Sequence, residues 1–322
     1  LAFTMPTALL ATPAPTTHAT HAALQGKLEA LARRAQPGVL GITVLDPQSG
    51  ERWQVNADRS YPMMSVFKAP VAAAVFARID SGALSMEQTV TLTRANLVDG
   101  SAVPSVGAHF RGERMDFTVR QLLAAAVSES DNTAVDALLK LVTAQAVTAF
   151  LHAHGIVGMR VDMGEAGVDG VFEQLAPGQQ PPANETVQAE AARLRRGYRA
   201  YLADPRNRST PDAAADFLRQ LQRGALLSPS STHALLMLLQ AQTRPSRLRQ
   251  GLPHGVQLAD KCGTSYTLGG LTAAYNDIGI LTWPDRRSVI VTAFLTASTV
   301  SKAQRDALFA DLARTVANTW RH

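Results

Sequence analysis

The sequence has little of several features, and each shortage excludes a class of protein. It contains one cysteine, Cys262, so it cannot form an intrachain disulfide. It has no apolar run long enough to span a bilayer and no basic stretch interleaved with aromatic residues. Internal repeats and low-complexity tracts are also missing. The sequence therefore predicts neither a membrane-spanning nor a nucleic-acid-binding protein.

The content of hydrophobic and charged residues is typical of a globular protein, and the length allows two subdomains. The 322 residues are 46% hydrophobic and 18% charged, which is enough to bury a core in two subdomains. The net charge of +5 comes mostly from arginines spread along the chain, which is typical of a solvated surface. Residues 1–20 are rich in Thr, Pro and Ala, and we expect a leader or a disordered N-terminus there.

The order of predicted elements indicates an α/β (α+β) fold. Helical spacing over His21–Ala35 precedes two strands, Val39–Leu45 and Trp53–Val55, and helical patterns follow from Ser65 onward. A loop is predicted over Val168–Pro182, where glycine and proline recur. The other predicted helices are 118–128, 133–142, 144–154, 185–202, 210–221, 228–242 and 301–320, and the later strands are 256–260, 272–283 and 288–297.

This order places strands at both ends of the chain and helices between them. Strands joined by short turns imply an antiparallel sheet, flanked here by the N- and C-terminal helices. We expect residues 21–62 plus 245–322 to form an α/β subdomain. Residues 63–244 would form an inserted all-helical subdomain, with an enlarged Ω-like loop over about 160–210.

Ser65 and Lys68 form the first stretch that indicates chemistry. They stand three residues apart at the predicted start of a helix, which places both on one face. Unpaired N–H groups at a helix start can hold an oxyanion, and the amine can activate the hydroxyl. The pair is therefore either a serine nucleophile with its base, or a helix cap beside a solvated lysine.

Two further stretches carry similar functional groups. Ser130-Asp131-Asn132, between two helices, offers a hydroxyl, a carboxylate and an amide, or an ordinary helix cap. Lys261-Cys262-Gly263-Thr264, at the end of a strand, offers an amine and a hydroxyl beside a glycine that permits close approach of a ligand. The alternative for this stretch is a strand end with a solvated lysine.

Together and in this order, the three stretches resemble the serine β-lactamase and penicillin-binding-protein superfamily. The resemblance extends from about residue 21 to residue 320 and is closest to class A β-lactamases. The segments 62–70, 127–132 and 274–280 look like the PER-like extended-spectrum branch of that class. We therefore expect the fold of that superfamily.

The resemblance implies a role for each matching residue. Ser65 would be the nucleophile, and either Lys68 or Glu165, through a water, would take its proton. Glu165 would then activate the deacylating water, and backbone N–H groups of Ser65 and Thr264 would form the oxyanion hole. The remaining implied roles are proton transfer to the leaving nitrogen by Ser130, a side-chain amide contact by Asn132, and substrate carboxylate binding by Lys261, Thr264, Ser265 and Arg247. Gly263 would contact the substrate through its backbone.

The sequence departs from the class at Asp169 and the stretch after it, at Cys262, and in the position of an arginine. Asp169 stands where the family usually has Asn, beside the presumed substrate, and its charge should repel Glu165 and raise the pKa of one of them. The stretch after Asp169 is longer than the family pattern, so Glu185 and Glu190 are alternative bases. Cys262 replaces a hydroxyl residue, and we expect it to be a packed small side chain. Arg247 falls where other members supply a guanidinium.

The implied function is β-lactam hydrolysis by a serine enzyme. We expect a small-molecule β-lactam as substrate, a monomer in the periplasm or secreted, and no cofactor or metal, because the histidines are scattered. Two alternatives remain open, a penicillin-binding D-Ala-D-Ala peptidase or transpeptidase and a β-lactam sensor without turnover. Glu165 distinguishes a β-lactamase from both alternatives, because only the β-lactamase needs rapid deacylation.

Overall fold

The structure is a computed structural model that describes residues 17–176, 179–243 and 247–320, with side chains from Ala22 onward. The predicted leader falls mostly on residues 1–16, which lie outside the described residues. Among the described helices, none alone is long and apolar enough to cross a membrane, although the helices Asn132–Val142 and Ala144–Ala153 pass that test together as a pair bent by 73°. The helices are α1 Thr17–Arg34, α2 Lys68–Asp80, α3 Ser105–His109, α4 Val119–Ser128, α5 Asn132–Val142, α6 Ala144–Ala153, α7 Glu165–Glu173, α8 Val187–Ala203, α9 Pro211–Gln222, α10 Pro229–Gln240 and α11 Lys302–Thr319.

The central sheet is antiparallel and is built from both ends of the chain. Its strand order is β2-β1-β10-β9-β7, and β8 pairs with β9. Val39 lies opposite Thr296 where β1 meets β10, and Lys261 lies opposite Ile278 where β7 meets β9. The predicted α+β fold class is therefore confirmed. The strands are β1 Val39–Leu45, β2 Arg52–Val55, β3 Tyr61–Pro62, β4 Thr89–Thr93, β5 Arg114–Thr118, β6 Arg208–Ser209, β7 Gln257–Thr264, β8 Thr267–Leu268, β9 Leu271–Thr282 and β10 Ser288–Ser298.

Side chains that alternate along the sheet bury both of its faces. On β10, Val291 and Leu295 belong to a core shared with α1 and α11. Ile290 and Phe294 point the other way, into the core of the helical unit. Fully burying one such side chain contributes about 1.5 to 3 kcal/mol, so both faces of the strand stabilise the fold.

Helix α2 lies at the centre of the helical unit. Its residues from Lys68 to Phe76 are buried, and it packs against α4, α5, α6 and α10. A helix that is apolar on all sides must be surrounded by protein. Lys68 is the one charged residue in this buried run, and its side chain is fully buried. Such a lysine needs specific polar partners.

Three local predictions differ from the structure. Ser65 lies in a 3₁₀ turn, Met64–Phe67, and α2 begins only at Lys68. The inserted unit is mainly helical, as predicted, but it also contains β4 and β5, which pair antiparallel. The first part of the predicted loop Val168–Pro182 is helical, because it is the end of α7. The subdomain boundaries at residues 62–63 and 244–245 stay a prediction.

Candidate active site

Ser65 and Lys68 both contact one carboxylate oxygen of Glu165. Ser65 Oγ donates a hydrogen bond to Glu165 Oε1 at 3.1 Å. Lys68 Nζ lies 3.0 Å from the same oxygen. Glu165 therefore lies within hydrogen-bond reach of both the predicted nucleophile and the other candidate base, which is the geometry that proton transfer from Ser65 to Glu165 requires.

The turn that carries Ser65 is held in place by the sheet. Asn276, on β9, donates from Nδ2 to the carbonyl oxygens of Pro62 at 2.8 Å and Met63 at 3.0 Å. Gly263, on β7, lies against the same turn, and a Cβ there would be 2.4 Å from the Met63 oxygen and 3.1 Å from the Ser65 nitrogen. A glycine is needed because any side chain would push the strand away from Ser65.

Lys68 Nζ is surrounded by oxygen atoms. It donates to the Ser130 carbonyl oxygen at 2.8 Å and to Asn132 Oδ1 at 2.6 Å, it lies 3.0 Å from Glu165 Oε1, and Ser130 Oγ is a fourth neighbour at 3.4 Å. These polar contacts offset the cost of burying the side-chain amine.

Ser130 lies between two lysines. Its backbone adopts φ +59°, and its Oγ accepts from Lys261 Nζ at 3.0 Å and from Lys68 Nζ at 3.4 Å. Asp131 caps α5 by accepting from the Ala134 N–H at 2.8 Å, so the helix-cap alternative is correct for this residue. With its oxygen accepting from both ammonium groups, the Ser130 hydroxyl can donate its own proton into the cleft.

Asp136 positions Glu165, and sequence reasoning missed it. Its two carboxylate oxygens accept the N–H groups of Glu165 at 2.6 Å and Ala166 at 2.9 Å, which caps α7 from a different helix. Burial raises the pKa of Asp136 to about 6, against the opposing effect of these two hydrogen bonds. The signal was its place four residues after Asn132 on α5, which puts both side chains on one face.

Asp169 lies one helical turn after Glu165 on α7 and is half-buried. Burial and the charge of Glu165 raise the pKa of Asp169 to about 7, as the predicted repulsion requires. The alternative bases lie elsewhere. Glu185 pairs with Arg193 at 2.8 Å, and Glu190 is exposed in the first turn of α8. Of the three candidates, the structure brings only Glu165 to Ser65.

The strand β7 presents its functional groups in different directions. Lys261 is fully buried, and burial together with the charge of Lys68 lowers the pKa of its amine to about 8. Thr264 is exposed at the end of the strand. The Ser265 hydroxyl donates to the Tyr266 carbonyl at 2.9 Å and accepts from the Ala274 N–H at 3.0 Å. It therefore ties β7 to β9, a role that the sequence did not predict.

Arg247 lines the same cleft as Ser65 and Ser130. Its Nη1 donates to the Asn276 carbonyl oxygen at 2.8 Å, and its Nη2 donates to Thr264 Oγ1. The guanidinium carbon lies 4.0 Å from the centre of the Tyr275 ring, a cation–π distance. The cleft has a volume of about 360 Å³ and is lined by Ser65, Gly100, Ser101, Ala102, Ser130, Arg247, Cys262, Gly263, Thr264, Tyr275 and Lys302.

Comparisons with known proteins agree with this geometry. Residues 23–320 match the profile of the beta-lactamase enzyme family. Extended-spectrum beta-lactamase PER-1 of Pseudomonas aeruginosa is 32% identical over 86% of this chain and 80% of its own, and beta-lactamase VEB-1 of the same species is 27% identical over 90% and 87%. An ancestral class A beta-lactamase structure has a TM-score of 0.75 at 35% identity, covering 92% of this chain and 100% of its own. A beta-lactamase structure from Chitinophaga pinensis has a TM-score of 0.77 at 28% identity, covering 92% and 98%. The chain therefore belongs to the class A β-lactamase family, on its PER-like branch.

Proposed function

We propose that this chain hydrolyses the amide bond of β-lactams through an acyl-enzyme on Ser65, which is released by a water that Glu165 activates. The observation that supports this most is the shared contact at Glu165 Oε1, which both the Ser65 hydroxyl and the Lys68 ammonium reach. One carboxylate can then serve the same serine in both halves of the reaction. Family membership supports the substrate class.

In the acylation step Glu165 takes the Ser65 proton. Glu165 is a stronger candidate than Lys68, because the Ser65 hydroxyl already donates to Glu165 Oε1. Backbone N–H groups of Ser65 and Thr264 hold the developing oxyanion. Ser130 then gives its proton to the leaving nitrogen, and the two lysines beside its oxygen stabilise the charge that remains.

Substrate binding uses the two ends of the cleft. Arg247, Lys261 and Thr264 hold the carboxylate, since guanidinium and ammonium groups there supply charge-assisted hydrogen bonds. Asn132 contacts the side-chain amide of the substrate. Gly263 lets the substrate come close to β7. Asp169 borders the space where the deacylating water must lie, next to Glu165.

The proposal extends to where the enzyme works. We infer export to the periplasm or secretion, because β-lactams act on targets outside the inner membrane. The cleft is formed by one chain, so a monomer suffices for the reaction. Such an enzyme would confer resistance to β-lactam antibiotics.

Intact-mass measurement during nitrocefin hydrolysis tests the proposal. We expect many turnovers in the unchanged protein, and a Ser65 acyl-enzyme that accumulates in Glu165→Gln, with turnover reduced by roughly 10²- to 10⁴-fold. Glu185→Gln is the matched control and should keep its turnover, because Glu185 pairs with Arg193. A single stoichiometric burst in the unchanged protein would instead identify a penicillin-binding peptidase or a sensor.

A further inference from the structure

Cys262 is a reactive group inside the cleft that the proposed hydrolysis does not use. It is the single cysteine of the chain and stands between Lys261 and Gly263 on β7. The residue is half-buried and lines the same cleft as Ser65 and Ser130. Cys262 therefore lies in the wall of the cleft that a substrate would enter.

Two cations lie beside the Cys262 thiol. Burial raises the pKa of the thiol, but the charges of Arg247 and Lys261 together lower it by more. The pKa of the thiol therefore lies below its ordinary value. Asp277 is opposite Cys262 on β9, and burial raises the pKa of this carboxyl well above its ordinary value. The neighbouring cations therefore favour the thiolate, which is the nucleophilic form of cysteine.

Arg247 gives an independent sign that an anion binds beside this thiol. Its side chain lines the cleft although the residue is only 4% exposed. Its Nε has no hydrogen-bond partner among the described residues. A buried donor without a partner is unusual, and guanidinium groups bind carboxylates through paired N–H donors. A carboxylate that enters the cleft would meet the positive charge of this guanidinium beside Cys262.

We propose that Cys262 is a covalent modification site for disulfides that carry a carboxylate. The carboxylate binds at Arg247 and Lys261, which brings the disulfide to the thiol. Cys262 Sγ attacks one sulfur of the reagent and forms a new S–S bond, while the reagent's own S–S bond breaks. The departing thiolate takes the electron pair, and the thiol proton goes to solvent. The adduct occupies the cleft of about 360 Å³ and closes it to substrate.

The test treats the full chain with dithiobis(nitrobenzoate), an aromatic disulfide with a carboxylate on each ring. We expect the intact mass to increase by one thionitrobenzoate group and nitrocefin hydrolysis to fall in parallel, with both reversed by dithiothreitol. Dithiodipyridine, an uncharged disulfide, is the comparison reagent. For each thiol we divide its rate of reaction with dithiobis(nitrobenzoate) by its rate with dithiodipyridine. This ratio should be about tenfold larger for Cys262 than for mercaptoethanol, because the cations concentrate the anionic reagent.

Variants identify the groups responsible. Cys262→Ser and Cys262→Ala should gain no mass and lose no hydrolysis on treatment. Arg247→Gln should lower the preference for the anionic reagent, whereas Arg33→Gln, an exposed arginine on α1, should keep it. The expected loss of hydrolysis rests on the proposed function, whereas the expected mass increase does not. A protein that gains the adduct mass but hydrolyses no nitrocefin even before treatment would support the modification site and refute the hydrolase. No adduct, an adduct that leaves hydrolysis intact, or equal rate ratios would overturn the proposal.

Discussion

Among single residues, Lys261 should make substrate binding in the cleft depend on pH. Burial and the charge of Lys68 lower the pKa of its amine to about 8. The ammonium form, which attracts a carboxylate, is therefore lost as the pH rises through that value. We expect kcat/KM for an anionic β-lactam to fall over the same range, mainly through a higher KM. Steady-state pH profiles check this, and Lys261→Arg should move the decline to higher pH. A flat profile through this pKa would contradict the prediction.

Asp169 should make stability depend on pH. Burial and Glu165 raise its folded-state pKa to about 7, so the folded state binds the proton more tightly than the unfolded state. The contribution of Asp169 is therefore fully present below its ordinary pKa and is lost as the pH rises through about 7. Asp169→Asn should raise the free energy of unfolding by roughly 1 to 3 kcal/mol above that pH, and by much less in acid.

Urea denaturation at several pH values measures this difference. Asp58→Asn is the matched control, because Asp58 is exposed and is not among the charges that raise the pKa of Asp169. An equal gain from Asp169→Asn in acid and in base would show that charge repulsion is not the cause.

The sequence predicted the reactive residues better than the residues that position them. Ser65, Lys68 and Ser130 stand in short local patterns whose spacing reflects the chemistry, and the structure brings all three together. Asp136 and Asn276 were missed as site residues because their contacts cross between elements. Nothing in the residues next to an Asp or an Asn tells which backbone groups it will bind from another part of the chain.

Among the elements, α7 and α8 form a pair whose contact depends on Gly197. A Cβ at Gly197 would lie 1.8 Å from the Phe172 carbonyl oxygen, so Gly197→Ala must separate the helices. We expect a loss of about 1 to 3 kcal/mol in the free energy of unfolding and a lower turnover, because α7 carries Glu165. Chemical denaturation and nitrocefin assays measure the two effects.

A second glycine provides the control for this helix pair. Gly26 is exposed on α1, and a Cβ there would meet nothing within 4 Å. Gly26→Ala should therefore stabilise the protein by up to about 1 kcal/mol through its higher helix propensity. Equal effects of the two substitutions would contradict the close packing of α7 and α8.

The elements that the sequence did not predict are those stabilised from outside themselves. Gly170 and Pro177 made the region after Glu165 look like a loop, yet α7 forms because Asp136 on α5 accepts its first N–H groups. The strands β4 and β5 are short and largely exposed, and each is stabilised mainly by pairing with the other. Periodicity in one segment carries no information about such partners.

For the whole molecule, the sheet and the helical unit should unfold together. One buried core contains Ile278 and Phe294 from the sheet as well as residues of α2, α4, α5 and α9. The three tryptophans, Trp53, Trp283 and Trp320, all lie in the part predicted as the α/β subdomain. Tryptophan fluorescence therefore reports on one part and helical circular dichroism mainly on the other. We expect the two denaturation curves to coincide, and separate midpoints would show two independent domains.

The sheet built from both chain ends has a consequence for protein synthesis. Ser65 leaves the ribosome well before Gly263 and Asn276, which lie against its turn in the folded protein. The strands β1 and β10 likewise pair across nearly the whole chain, which makes their association a late event in folding. A nascent chain therefore carries the serine long before it can arrange the groups around it, and the cleft is completed only after β7 and β9 have been made.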